Sequence, residues 1–161
     1  MGNRAVILVN VGTPDSPSVK DVRKYLSEFL NDPKVIDIPW LLRKLLVNFV
    51  IVPFRAPRSA LLYRRLWTDK GSPLLVHLTA LVHMARLSIR SEMHDNLLMS
   101  SGAGGPAFFG AMRYGNPSLA SMLNQVRQEG YDRITVLPLY PQYASSTTGS
   151  VIELVKTVTG K

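Results

Sequence analysis

Residues 134–150 read ITVLPLYPQYASSTTGS, an apolar run that continues directly into a cluster of hydroxyl side chains. The first six residues are mostly apolar or β-branched, which predicts a fully buried strand. The hydroxyls lead into a helical pattern over residues 151–155, whose first turn could be capped by Ser146, Thr147 or Ser150. Such a strand, loop and helix place ligands at the carboxyl edge of an open parallel sheet.

Strand and helix patterns alternate along the rest of the chain. Strand patterns cover residues 5–11, 96–99, 107–112 and 134–139, and helical patterns cover residues 18–30, 41–50, 57–67, 73–90, 118–129 and 151–155. The first strand is continuously apolar, which predicts a central position. Alternation without hairpin signals predicts an α/β domain with a parallel sheet between helical layers, and 161 residues suit one such domain.

Start and stop signals bound several of these helices. Ser18 and Asp21 have the spacing of a capping box, and Ser72 precedes a proline at a predicted first helical position. The first strand-helix unit closes near residues 31–33. Residues 116–117 are expected to cap the fifth helix, and Gly130 to end it.

Composition narrows the class of partner. The net charge of +8 calls for an anionic partner, and no cysteine is present to form a disulfide or a thiolate metal site. Residues 43–70 hold seven basic side chains against one acid, within the most apolar part of the chain. Basic and apolar together favour a membrane surface or an apolar acid over nucleic acid, for which no recognition module is present. The first residues lack the pattern of a signal peptide, so the expected location is cytoplasmic.

Residues 36–53 contain an apolar helical stripe. Its members are Leu41, Leu42, Leu45, Leu46, Phe49 and Val50, with Arg43, Lys44 and Asn48 away from it. The run is too short and too charged to span a bilayer. Two alternatives stay open: a helix packed inside the domain, or an amphipathic segment that contacts a membrane or an apolar ligand.

Three loops are expected at one edge of the sheet, at residues 12–14, 113–116 and 140–150. The Arg113 guanidinium could fork onto a carboxylate or a phosphate there, and the Tyr114 ring could stack on a flat ligand. The structural alternatives are a surface salt bridge and a packing residue. The three histidines lack the spacing of a helical metal pair, and no side chain is convincing as a general base.

Five ordered blocks of sequence resemble the ferrochelatases, which insert ferrous iron into a porphyrin. They are residues 9–14, 25–35, 62–74, 112–119 and 139–150, which read VNVGTP, YLSEFLNDPKV, LYRRLWTDKGSPL, MRYGNPSL and LYPQYASSTTGS. The resemblance covers the whole chain but only the amino-terminal half of that enzyme. It implies a chelatase fold, Rossmann-like, in which two similar α/β domains enclose a porphyrin cleft.

The resemblance also implies roles for particular residues. Residues 40–54 would be the lip segment, which admits the macrocycle and leans on a membrane. Side chains expected near protoporphyrin IX are Val11, Arg55, Tyr63, Ser72, Arg113, Tyr114, Tyr140 and Ser146. A basic rim around an apolar slot complements a flat, doubly anionic macrocycle.

Two departures and one absence qualify the resemblance. Val11 stands where relatives that act on coproporphyrin carry a tyrosine, which implies a protoporphyrin substrate. Ser145 stands where some relatives have a cluster-ligating cysteine, so no iron–sulfur cluster is expected. The family's catalytic histidine and glutamate belong to a second domain, beyond these residues. The chain alone is therefore expected to bind porphyrin weakly and not to metallate it; the alternative is a non-catalytic α/β binding or membrane-peripheral module.

Overall fold

The computed structural model describes residues 3–96 and 105–160. Within those ranges, three strands form a parallel sheet: β1 (Arg4–Thr13), β2 (Ala107–Gly115) and β3 (Arg133–Pro138). Their order is β2-β1-β3, which confirms the parallel sheet and the central first strand. The strand predicted at residues 96–99 lies outside the described residues, except that Asn96 is the last residue of a helix.

The helices follow the predicted order. They are α1 (Val19–Leu30), α2 (Trp40–Leu45), α3 (Val52–Leu66), α4 (Pro73–Asn96), α5 (Leu119–Gln128) and α6 (Ser150–Thr159), with π-helical segments at Leu46–Ile51 and Ser145–Gly149. Helix α4 starts where the Ser72 signal predicts and continues past its predicted end near Arg90.

Helices cover both faces of the sheet. On one face, Leu78 and Val82 of α4 pack against Leu8 and Met112. On the other, α5 and α6 pack against the side chains of Ile7 and other β1 residues of the same parity. Each such side chain contributes about 1.5–3 kcal/mol when fully buried, which explains why a central strand is apolar throughout. The predicted three-layer α/β class is confirmed.

Strand β3 differs from the prediction of a fully buried strand. It pairs only with β1 among the described strands, so it lies at an edge. Its side chains alternate, with Arg133, Thr135 and Leu137 exposed and Ile134 and Val136 packed against the core. The apolar run alone could not distinguish an edge strand from a central one, because both contain β-branched side chains.

The helix signals were partly correct. Ser18 accepts a hydrogen bond from the N–H of Asp21 at 3.1 Å, which is half of the predicted capping box. The Ser18 N–H donates to the Ser16 hydroxyl, not to Asp21. The predicted cap at residues 116–117 is wrong, because Ser118 is the N-cap of α5. Gly130 follows the end of α5 with φ of +80°, a conformation that favours glycine.

The predicted hydroxyl cap before α6 is wrong. The helical segment begins at Ser145, preceded by Ala144, and no side chain caps it or the start of α6. The Thr147 hydroxyl donates instead to the carbonyl of Ala144 at 3.2 Å. The hydroxyl cluster is thus part of a helical turn continuous with α6, not a loop before it.

One continuous helical stretch runs from α2 to α3, where the sequence patterns predicted two separate helices. The joining π-helical turn places the N–H of Val52 on the carbonyl of Val47, five residues earlier. The stretch Trp40–Leu66 is long and apolar enough to cross a membrane by length and composition. The expectation that it was too short and too charged is therefore wrong, although core helices of soluble proteins can meet the same criterion.

The apolar stripe of the lip segment faces outward. Phe49 is 73% exposed and Trp40 64%, while Val47 is fully buried. Arg43 is buried as well, and its Nη1 donates to the carbonyls of Ile36 and Ile38. The alternative of a helix packed inside the domain is therefore wrong for the part of the chain that is described.

Candidate functional site

The carboxyl ends of the strands lie at one edge, but two of the predicted loops begin later than expected. Residues 12–13 belong to β1 and residues 113–115 belong to β2, because both strands continue past their predicted ends. Thr13 at the end of β1 pairs with Gly115 at the end of β2, and Val9 pairs with Pro138 at the end of β3. Gly12 has φ of +130°, and a Cβ there would lie 1.9 Å from the carbonyl oxygen of Tyr114. Glycine at this position lets the two strand ends approach closely.

A buried polar cluster lies at the end of β2. The Asp32 carboxylate accepts hydrogen bonds from the Tyr114 hydroxyl and the Ser150 hydroxyl, each at 2.8 Å, and forms an ion pair with Arg113 Nη2. Arg113 Nε donates to the Ser150 hydroxyl oxygen at 2.6 Å. The guanidinium carbon also lies 4.4 Å from the centre of the Tyr114 ring. These contacts join the loop after α1 to β2 and α6.

This cluster corrects the prediction that the Arg113 guanidinium is free to bind an anionic ligand. Two of its three nitrogens already bond to Asp32 and Ser150. Tyr114 is 1% exposed, so its ring packs in the core rather than presenting a face at the surface. Burial disfavours the charged Asp32, yet hydrogen bonds from the Lys34 N–H, Ser150 and Tyr114, with the Arg113 charge, hold its pKa below the ordinary value.

Asp32 is a site residue that the sequence patterns did not identify. One signal was available, because a carboxylate just after α1 faces the negative end of the helix dipole and needs compensation from elsewhere. Ser150 was noted only as a possible cap. Its side chain instead serves the buried cluster, with 0% exposure.

A group of aromatic rings adjoins the cluster. Tyr63 packs edge-on against Tyr25 and against Trp67, and Phe29 packs edge-on against Tyr114. Burial raises the pKa of Tyr63, while the positive charge of Arg55 lowers it in part. Val11 packs against the same hydrophobic cluster as Tyr63. One hydrophobic cluster therefore brings together Val11, Tyr63 and Tyr114. Arg55 is close enough to Tyr63 for its charge to act on the hydroxyl.

Tyr140 lies two residues after β3 and packs against the hydrophobic cluster formed by β1, α5 and α6. Burial raises the pKa of its hydroxyl, and the charge of Arg113 lowers it in part. That hydroxyl oxygen is buried and has no hydrogen-bond partner among the described residues. A buried unpaired hydroxyl costs about 1–3 kcal/mol.

Ser72 and Ser146 complete the predicted set. Ser72 is buried beside Thr13, whose hydroxyl donates to it at 2.7 Å. A cavity of about 330 Å³ lies there between Pro14, Trp67 and residues 116–117. Ser146 is half-buried in the helical turn before α6, and no hydrogen bond joins its side chain to the other seven predicted residues within 3–96 and 105–160.

A larger cavity of about 570 Å³ opens between α1 and α6. Its charged lining balances, since three basic and three acidic side chains contribute to it. They are Lys24, Lys44 and Arg113, with Glu28, Asp32 and Glu153. Its size is within the range of small-molecule sites.

Comparison with known proteins identifies the relatives of this chain. The family model described as Ferrochelatase matches residues 3–161. The chain belongs to the ferrochelatase family. The chain is 44% identical over 151 residues to a ferrochelatase of Coxiella burnetii, covering 94% of this chain and 39% of the relative. It is 42% identical to ferrochelatase 2 of Shewanella oneidensis, covering 96% and 44%, and 41% identical to a ferrochelatase of Idiomarina loihiensis, covering 92% and 38%.

These figures also limit what the chain represents. It spans about two fifths of the length of these ferrochelatases. Within residues 3–96 and 105–160, no group of three or more histidine, cysteine, aspartate and glutamate side chains could hold a metal ion. Beside the end of β2, the described residues hold a group of aromatic rings and a buried charge cluster.

Proposed function

We propose that this chain forms the amino-terminal part of a ferrochelatase that inserts ferrous iron into protoporphyrin IX. Its own contribution is to bind and orient the macrocycle along the carboxyl edge of the sheet. Iron is a substrate of the whole enzyme, and the catalytic histidine and glutamate that the resemblance implies lie in the remainder of that enzyme.

The observation that carries the proposal is the aromatic and basic edge in a chain of this family. Tyr63 packs against the ring of Tyr25 and lies near the cationic Arg55, so apolar and basic groups adjoin there. A porphyrin needs both, because its ring is apolar and its propionates are anionic. The substrate-contacting set that we propose comprises Val11, Arg55, Tyr63, Ser72, Arg113, Tyr140 and Ser146, and Tyr114 supports Arg113 from the core.

The lip segment supports a second element of the proposal, contact with a membrane surface from the cytoplasmic side. Its exposed apolar stripe precedes Arg58, Arg64 and Arg65 on α3, all exposed. Apolar side chains beside basic ones match the boundary of an anionic bilayer. A non-catalytic membrane-peripheral module would use the same surface, so porphyrin binding is what separates the two functions.

Titration with protoporphyrin IX tests the proposal. We expect saturable binding, seen as a shift of the porphyrin absorption band and quenching of tyrosine and tryptophan fluorescence. Arg55→Ala should weaken binding about tenfold, which corresponds to the loss of one charge-assisted hydrogen bond. Arg65→Ala, also on α3 and exposed, is the matched control and should bind normally. Absence of binding by the unmodified chain would refute the porphyrin site.

Metal insertion is a separate readout. The same chain mixed with protoporphyrin and ferrous iron under anaerobic conditions should give no protohaem spectrum, because no general base is assigned to it. Formation of metalloporphyrin at a rate above that of the protein-free mixture would overturn the assignment of the catalytic groups to the remainder of the enzyme.

A further inference from the structure

The Asp32 carboxylate is saturated with hydrogen bonds. Oδ2 accepts from Arg113, Tyr114 and Ser150, while Oδ1 accepts from the backbone N–H of Lys34 at 2.7 Å. The Asp32 side chain is 6% exposed and that of Arg113 14%. Because both charges are largely removed from water, the carboxylate screens the guanidinium far more strongly than a surface partner would.

The two cationic regions of the site therefore differ in net charge. Around Arg113 the charged lining of the cavity balances, with Lys24, Lys44, Glu28 and Glu153 facing the same space. Along α3, Arg55 and its basic neighbours have no ion pair within residues 3–96 and 105–160, where the ion pairs are Lys24 with Asp15 and Arg113 with Asp32. An anionic group gains more from the α3 region than from the Arg113 region.

We propose that Asp32 is a positioning residue that determines which edge of the macrocycle the Arg113 region accepts. By compensating Arg113, it makes that region receive an uncharged edge of the porphyrin and leaves the propionates to α3. Asp32 acts through Arg113 and needs no contact with the ligand. The inference rests on the proposed porphyrin function and adds a selectivity for the number of carboxylates on the ring.

The test compares two porphyrins with the unmodified chain and with Asp32→Asn. Protoporphyrin IX has two carboxylates on adjacent pyrroles, whereas coproporphyrin III has one on every pyrrole. Asn is nearly isosteric with Asp but leaves Arg113 uncompensated. We expect the affinity ratio of coproporphyrin to protoporphyrin to rise about tenfold in Asp32→Asn, the effect of one charge-assisted contact.

A second pair of variants protects the test against misfolding. Arg113→Gln leaves Asp32 uncompensated and should lower the same ratio, and the double variant Asp32→Asn with Arg113→Gln should restore it. Far-ultraviolet circular dichroism and urea unfolding identify variants that do not fold. If Asp32→Asn does not fold, the Arg113→Gln ratio decides the question.

The outcomes are distinguishable from those of the proposed function. If the unmodified chain binds neither porphyrin, the proposed function fails. If it binds protoporphyrin and the folded variants change both affinities by the same factor, or leave both unchanged, Asp32 has only a structural role and the inference is overturned.

Discussion

The hydroxyl oxygens of Tyr114 and Ser150 lie 2.9 Å apart, although 36 residues separate them in the chain. Tyr114 is the second-last residue of β2 and Ser150 is the first residue of α6, and both donate to the carboxylate of Asp32. Three distant segments are therefore fixed to one another at the edge of the sheet where the porphyrin site is proposed.

Removal of the Tyr114 hydroxyl should destabilise the fold. Tyr114→Phe keeps the ring but takes one donor from a buried carboxylate, so the free energy of unfolding should fall by about 1–3 kcal/mol. Urea unfolding followed by circular dichroism measures it. Tyr143→Phe is the control, because Tyr143 is 73% exposed. Equal stability of the two variants would mean that the buried hydroxyl contributes nothing.

Asp32 should make stability depend on pH on the acid side. Hydrogen bonds and the Arg113 charge hold its folded pKa below the ordinary 3.8, against the opposing effect of burial. The unfolded chain therefore binds the proton more readily, and ionised Asp32 stabilises the fold above the unfolded pKa. That contribution is lost as the pH falls through the folded pKa.

The measurement is the difference in unfolding free energy between the unmodified chain and Asp32→Asn. We expect the difference to be greatest at about pH 7 and to shrink below about pH 4. Asp69→Asn, at an exposed position, serves as the control. A difference that stays constant down to about pH 2 would contradict the ionised state of Asp32.

Much of the fold followed from the sequence, and the exceptions have physical causes. The apolar run of β1 predicts a central strand because both faces of that strand need apolar cover. The same reasoning failed for β3, since burial of an apolar strand depends on neighbours that the run itself does not encode. For the lip segment, too, burial could not be predicted from the sequence. An apolar stripe predicts a helix but not whether the stripe faces the core.

The candidate site was predictable in part. Strand ends of a parallel sheet share one edge, which placed Arg113 and Tyr114 correctly in the chain's topology. Their partner Asp32 lies 81 residues from Arg113, and no local pattern joins positions so far apart. The ion pair between Arg113 and Asp32 is apparent only in the folded chain. It means that the charge of Arg113 is compensated by a carboxylate, whereas the sequence had suggested that it was free.

The close approach of β1 and β2 depends on Gly12. An added Cβ would overlap the backbone of Tyr114, and φ of +130° is unfavourable for other residues. Gly12→Ala should therefore cost about 3 kcal/mol or more. Gly71→Ala is the matched control, because Gly71 also has a positive φ but nothing lies within 4 Å of the added Cβ. It should lower the free energy of unfolding by about 1–2 kcal/mol. Comparable urea midpoints for the two variants would refute the steric argument.

The outward-facing lip segment predicts that membrane contact can be separated from folding. Trp40→Asp and Phe49→Asp change exposed side chains, so stability should stay within about 0.5 kcal/mol of the unmodified chain. Each apolar side chain that enters the bilayer boundary contributes about 1.5–3 kcal/mol. Co-sedimentation with vesicles rich in anionic phospholipid should therefore weaken tenfold or more in either variant. Leu137→Asp alters an exposed apolar side chain on β3 and should leave vesicle binding unchanged. Equal sedimentation of all three variants and the unmodified chain would mean that the stripe serves a contact other than a lipid surface.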